Sequence, residues 1–330
     1  MVRKVLVTGG AGYVGSNLVP KLLKKGYEVV VLDLYIYGKE VFDNVRTNDK
    51  LIEVEGDIRD VKVVNKAMFG CDVVIHLACI SNDPSYNLNP DLGRSINYEA
   101  FRPLIRAAKN AKVKRFIYAS SSSVYGLKNE DEVTEDLPLE PLTDYSKYKV
   151  LCEEILEDER EPGFTTCTIR PSTVCGYAPR QRLDVIVNIL TNHAVNSGRI
   201  KVFGGSQKRP NIHIEDMSDL YCFLLEQSDE QIDGKIYNAG YENYTLIELA
   251  EIVKRVIGKN LSIDIEHTDD LRSYHVSSQK MKTELGFEPS YNIESAVRSL
   301  LEAFEDGRLP NPMDDSKYFN IKKMQEIELN

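Results

Sequence analysis

A tyrosine and a lysine four positions apart, Tyr145 and Lys149, stand in the run "TDYSKYKV" (143–150). On a helix that spacing puts both on one face. A phenol ionises near pH 10 and is a poor base at neutral pH. A nearby ammonium and a bound cationic cofactor favour the phenolate, which can then exchange a proton with a substrate hydroxyl. Tyr148 has Cys152 at the matching position, so Tyr145 is the better candidate. The Tyr-x-x-x-Lys spacing is common by chance and needs support from elsewhere in the chain. A second reactive-looking stretch is "SSSSVYG" (120–126), where four serines end the apolar run "RFIYA". A hydroxyl there could orient the oxygen on which the phenol acts.

Support comes from "VTGGAGYVGSNLV" (7–19), with Gly9, Gly12 and Gly15 in G-x-x-G-x-x-G spacing. A tight turn, a close approach to a pyrophosphate and tight helix–strand packing all require the absence of a Cβ. The helix that follows, beginning around Tyr13 and Val14, offers free N–H groups to phosphate oxygens. Asp33 follows 18 residues after Gly15, at the end of the second apolar run. A carboxylate there accepts from both ribose hydroxyls and repels a 2′-phosphate, so NAD is favoured over NADP. No arginine follows closely; "DLYIYGKE" reaches only Lys39. "GDIRD" (56–60) places Asp57 and Ile58 as adenine-edge contacts. In "HLAC" (76–79), Leu77 and the small Ala78 let a cofactor lie close, whereas His76 reads as a packed core residue.

These groups need a scaffold. Short β-branched runs occur at 4–9, 27–33, 51–57, 71–78, 115–120 and 164–170, with a further one at 235–240. Helical patterns lie at 13–25, 60–68, 96–110 and 143–160, and later at 183–197, 216–227, 245–257 and 291–305. Near-continuous apolar strands alternating with helices predict a parallel sheet covered on both faces, a doubly wound α/β architecture. The tail, 307–330, has little periodicity and is expected to wrap the surface.

The chain has 330 residues, 42% of them hydrophobic, enough for two domains with a sizeable core. Its net charge of −10 disfavours nucleic acid or an anionic membrane as the main partner, but not a small anionic ligand met by a few arginines. No apolar stretch approaches the roughly 18–20 residues that span a bilayer, and the first ten residues do not read as a signal peptide. Six cysteines without CxxC spacing read as buried reduced thiols, with no metal site. A cytoplasmic location is the expectation.

Together, "TGGAGYVG" (8–15), Asp33, "GDIRD", "HLAC", "SSSSVYG", "YSKYK" and "YNAG" (237–240) identify a resemblance over nearly the whole chain. The chain resembles the extended short-chain dehydrogenase/reductases, specifically the NAD-dependent nucleotide-sugar epimerase/dehydratase family. Two departures are Asp144 in place of the usual Pro before Tyr145, and Cys79 in place of the second Ala of the fourth-strand motif. The resemblance implies a Rossmann-type cofactor domain over 1–174, with a returning segment at about 211–240. It implies a smaller α/β nucleotide-sugar lobe over 175–210 and 241–330. It also implies the catalytic hydroxyl, which lies four residues before Tyr125 and is therefore Ser121. Pro171 is implied at the cofactor, and Ser122, Thr173, Arg182, Arg209 and Arg272 at the substrate, with Arg180 beside Thr173. A homodimer through a four-helix bundle, built from 96–110 and 143–160, follows from the same likeness.

Family dehydratases carry an acid and a base where this chain has Ser122 and Ser123. Serines have neither the pKa nor the charge for eliminating water. The leading reading is C4 epimerisation of a nucleotide-sugar through a 4-keto intermediate, with Tyr145 as acid/base. The alternative is a C4 dehydrogenase or keto-sugar reductase that makes a single hydride transfer. A non-catalytic NAD-sensing scaffold is a third reading, disfavoured by the intact Ser121, Tyr145 and Lys149. The "PRQRLD" run (179–184) is similar to family members that act on sugar nucleotides for surface polysaccharides.

Overall fold

The protein is described by a computed structural model covering residues 2–128, 130–258, 261–268, 273 and 275–327. The first strands are β1 (Lys4–Thr8), β2 (Glu28–Asp33), β3 (Leu51–Glu55), β4 (Val73–His76), β5 (Arg115–Ala119) and β6 (Thr165–Pro171). Then come β7 (Thr173–Cys175), β8 (Arg199–Phe203), β9 (Lys208–His213), β10 (Lys235–Ala239), β11 (Glu242–Thr245) and β12 (Ser262–Glu266). The main sheet has the order β10-β6-β5-β4-β1-β2-β3 and is parallel throughout. Strand order reverses between β1 and β4, and the crevice at such a switch point is where open α/β sheets bind ligands.

Side-chain alternation divides the core. Val5, Val7, Val29, Val31 and Ile75 face one side, against Leu18 and Leu22 of helix Tyr13–Lys24 and Leu220 and Leu224 of helix Ile214–Glu226. Leu6, Val30, Val74 and Phe116 face the other, against Phe101 and Leu104 of helix Phe101–Asn110 and Ile155 and Leu156 of helix Asp144–Asp158. Each such side chain contributes about 1.5–3 kcal/mol on burial, which explains why the strands read as unbroken apolar runs. His76 lies in this second layer, with Nδ1 2.7 Å from Thr8 Oγ1 and its ring stacked on Tyr118. All six thiols are free, and five of them are buried.

A third apolar cluster joins Val187 and Leu190 to Ile200, Val202, Leu249, Val253 and Val297. It underlies two small sheets, β11-β9-β7 and β12-β8. Of these strands, β7, β8, β9, β11 and β12 were not legible as strands: β7 has only three residues, β9 carries Pro210, and β8, β11 and β12 are short, largely accessible and carry charged residues. The tail lies along the surface with a few side chains turned inward, and part of it is helical. Residues Asn320–Ile327 form a helix whose Met324 packs into the second sheet layer.

Candidate active site

A cleft of about 530 Å³ opens at the carboxyl ends of β1, β2, β4 and β5. Gly9 follows β1 with φ of +71°, and a Cβ there would sit 2.6 Å from the Ala78 backbone nitrogen. A Cβ on Gly15 would meet the Gly10 carbonyl oxygen at 2.4 Å, a clash no relaxation of a side chain could relieve. The helix Tyr13–Lys24 has no side-chain cap and no acid in its first turn. Its leading N–H groups are thus left for a ligand anion. Gly12, Val14, Leu77, Ala78 and Ile58 line the same cleft. Tyr13 also borders it, but its phenol turns away to donate to the Gly176 carbonyl at 2.6 Å.

Asp33 accepts from Ala11 N at 2.9 Å and from Tyr35 N at 2.8 Å, one bond on each oxygen. The remaining lone pairs can accept from a diol. Burial raises its pKa, and the two backbone donors only partly offset that. For Asp57, burial also works against ionisation, yet the Arg59 guanidinium, 2.7 Å away, holds its pKa below the usual range.

The helix Asp144–Asp158 starts on a capping box, with Thr143 Oγ1 accepting from Ser146 N and Ser146 Oγ from Thr143 N. This fixes Tyr145 in its first turn and Lys149 one turn on. The Lys149 ammonium is buried, donates to the Ala119 carbonyl at 2.7 Å, and lies 5.8 Å from the centroid of the Tyr145 ring. Ser121 lines the same cleft as Tyr145. Burial pushes the phenol's pKa up, as do Cys79 and Asp83; the Ser121 hydroxyl and the Arg182 charge pull it down.

Ser122 is a correction. It is buried and does not line the cleft; Ser123 does, with its Oγ 2.9 Å from Ser121 Oγ. Where the strand gives way to the short helical turn Ser122–Tyr125, Ser120, Ser121 and Ser123 reach the cleft and Ser122 does not. Pro171, Thr173, Arg182 and Arg209 line the cleft, while Arg272 lies outside the described residues. Arg182 is paired through Nε with Asp184 at 2.8 Å.

The cleft also gathers residues that sequence reasoning missed. Asp83 borders it after Asn82, whose φ is +71°, and accepts from Thr143 Oγ1. Only the polar run "SNDPS" after the fourth strand hinted at it. Asn320 and Met324 arrive from the tail, far in sequence from every other lining residue, and nothing local announced them.

The sequence pattern of the NAD dependent epimerase/dehydratase family matches residues 5–240. The chain belongs to that family. It is 30% identical to a UDP-glucose 4-epimerase of Lactobacillus helveticus, over 89% of this chain and 94% of the relative. It is 26% identical to a dTDP-glucose 4,6-dehydratase of Streptomyces niveus, over 92% of this chain and 94% of that one. Among solved structures, UDP-glucuronic acid 4-epimerase of Bacillus cereus, determined with UDP-glucuronic acid and NAD, matches with a TM-score of 0.83. It is 25% identical and covers 92% of this chain and 99% of its own. Family members thus include both epimerases and dehydratases, and the chemistry at the cleft must separate them.

Proposed function

We propose that this chain is an NAD-dependent nucleotide-sugar epimerase acting at C4, with Tyr145 as its acid/base. The observation that carries the reading is the meeting of Ser121, Tyr145 and Lys149 in the cleft that the glycine loop opens. The loop, the uncapped helix and Asp33 fit a dinucleotide: a cradle without room for a Cβ, free N–H groups for the pyrophosphate, and a half-buried acceptor for the ribose. NAD, when bound, supplies the hydride acceptor and donor.

Tyr145 removes the C4 hydroxyl proton; the Arg182 charge partly counters the burial that opposes its phenolate, and the Lys149 ammonium 5.8 Å from its ring adds a second positive charge beside it. Ser121 donates to the same oxygen and holds it in line. Thr173, Ser123 and Arg209 face the sugar and its diphosphate; the planar guanidinium suits phosphate oxygens. After turnover of the keto sugar, Tyr145 returns the proton and the product leaves inverted. Removal of water from a keto sugar needs both an acid and a base, and the two positions after Ser121 that supply them in family dehydratases are Ser122 and Ser123 here. This is why the reading stays with epimerisation.

The partition into a cofactor domain (1–174 with 211–240) and a sugar lobe (175–210 and 241–330) fits the placement of β10 in the main sheet. The same reading makes the protein a cytoplasmic homodimer serving polysaccharide assembly, pairing through helices Phe101–Asn110 and Asp144–Asp158. Their outer faces carry Arg106 and Lys147 alongside Asp158, so the dimer would weaken with salt. Among the described residues, no helix is long and apolar enough to cross a membrane.

The deciding experiment gives the purified protein a panel of UDP-, GDP-, CDP- and dTDP-hexoses and reads product stereochemistry by NMR. A C4-inverted product without net NADH is expected. Accumulating NADH with no inverted product would sink the epimerase reading in favour of a dehydrogenase. A 4-keto-6-deoxy product would instead give Asp83 an eliminating role.

A further inference from the structure

Arg180 is a buried cation without a carboxylate partner. It is 4% exposed, and among the described residues no ion pair joins it. Its guanidinium carbon lies 3.6 Å from the centroid of the Tyr37 ring, and Nη2 donates to Asn320 Oδ1. Its Nε has no hydrogen-bond partner, nor has Nη2 of Arg182 next to it. Burying a charge on neutral partners alone, with a donor unmet, is costly unless an anion arrives. Asp184 pairs directly only with Arg182, and the Asp184 and Asp33 charges act on Arg180 without an ion-pair contact.

The position identifies which anion. The Arg180 backbone N–H donates to Ser16 Oγ at 3.1 Å, which sets the residue beside the first turn of helix Tyr13–Lys24. On its other side is Tyr37, in the segment that follows β2 and its last residue, Asp33. Arg180 therefore stands between the uncapped helix start and the ribose acceptor, where a dinucleotide carries its diphosphate.

The C-terminal helix closes this arrangement. Asn320 is 3% exposed. Besides accepting from Arg180, it donates through its backbone N–H to Asp184 Oδ2 at 2.9 Å. Its Nδ2 donates to Ser81 Oγ, also at 2.9 Å. Leu183 N donates to the Tyr318 carbonyl at 2.9 Å, and Met324 anchors the helix in the sheet layer. One asparagine thus ties the 180–184 strap to the loop after β4.

We propose that Arg180 is a cofactor-retaining residue: it takes a diphosphate oxygen of bound NAD, and the Asn320 latch keeps the strap closed over it. The inference rests on the NAD-dependent reading above. Its consequence is that the rate at which NAD leaves is set by Arg180 and Asn320 as well as by the glycine loop. A nucleoside diphosphate of the substrate shares the same chemistry, so the test carries both.

The holoprotein, Arg180→Gln and Asn320→Ala are passed through a desalting column and the retained NAD is quantified by HPLC after denaturation. Melting temperatures are then taken with added NAD and, separately, with UDP. The wild type is expected to elute with NAD, and both variants to lose it at least tenfold faster. The NAD-induced rise in Tm should shrink in both variants while the UDP-induced rise persists. Equal retention by the variants, or a wild type that elutes without NAD, would overturn the proposal; so would a variant that loses only the UDP response. If Arg180→Gln does not fold, Asn320→Ala decides, since it keeps the arginine and removes the latch. Inverted product from an enzyme that sheds NAD freely would overturn the latch and leave the epimerase reading standing.

Discussion

Arg170 in β6 and Glu153 in the helix Asp144–Asp158 form a two-pronged ion pair, Nη2–Oε2 at 2.6 Å and Nε–Oε1 at 3.1 Å, with both side chains less than 10% exposed. Ser120 donates to the same carboxylate. Arg170 Nη1 donates to the Tyr125 hydroxyl at 2.7 Å, which donates onward to Asn238 Oδ1 at 2.7 Å. The pair thereby clamps both ends of the serine stretch to the tyrosine helix. Glu153→Ala strands a buried guanidinium and should cost about 3–5 kcal/mol. Urea unfolding checks this. A paired Glu153→Leu, Arg170→Met replacement should recover much of the loss, because the uncompensated charge is then gone. A single-variant cost under about 1 kcal/mol would mean the pair behaves as a surface bridge.

That network also shows what the sequence could and could not convey. "SSSSVYG", "YSKYK" and "YNAG" were each legible as motifs, because backbone turns and helix faces impose local spacing. The main sheet was equally legible, since strands buried on both faces must be continuously apolar. The links among Ser120, Glu153, Arg170, Tyr125 and Asn238 are long-range side-chain bonds, and no period or spacing encodes them. The same limit hid Asn320 at Arg180. Ser122 was placed at the substrate by the resemblance alone; in the helical turn after β5 it points into the protein, and Ser121 and Ser123 reach the cleft instead.

Asp83 and Tyr145 share the cleft, and the Asp83 charge adds to the burial and Cys79 in raising the phenol's pKa. Asp83→Asn keeps an oxygen to accept from Thr143 but removes the charge. The phenolate is then less disfavoured, so Tyr145 titrates at a lower pH than in the wild type. The alkaline-rising limb of kcat/KM should move toward acid pH, with little change at the plateau. A pH–rate profile on the preferred nucleotide-sugar reads the shift. An unmoved limb with a lowered plateau would make Asp83 a substrate contact without electrostatic coupling to Tyr145.

Asp33 sets cofactor choice through its charge. Asp33→Asn retains an acceptor for Ala11 N but halves the acceptor capacity and removes the repulsion toward a 2′-phosphate. Hydrogen bonds to a charged group contribute about 1.5–3 kcal/mol, so NAD affinity should fall by roughly 10- to 150-fold. NADP binding should improve or hold. Titration calorimetry of apoprotein with each dinucleotide measures both, and a retained preference for NAD would place the discrimination elsewhere.

His76 gives the protein an acid-labile core. Burial lowers its pKa from 6.5 to about 3 in the folded state, and burial likewise lowers His213 to about 4. The unfolded chain therefore takes up these protons first as pH falls. Stability is present in full above pH 6.5 and declines as the pH drops from there toward the folded values. For His76 alone, linkage gives a loss of about 2 kcal/mol between pH 7 and pH 5. His76→Leu forfeits the Thr8 hydrogen bond, so it should be less stable than the wild type at pH 7. Between pH 7 and pH 5 it should lose about 2 kcal/mol less than the wild type does. Urea midpoints at the two pH values separate the effects. An identical decline in both proteins would show that His76 carries its proton in the fold, in conflict with its packing between Phe101, Phe116 and Tyr118.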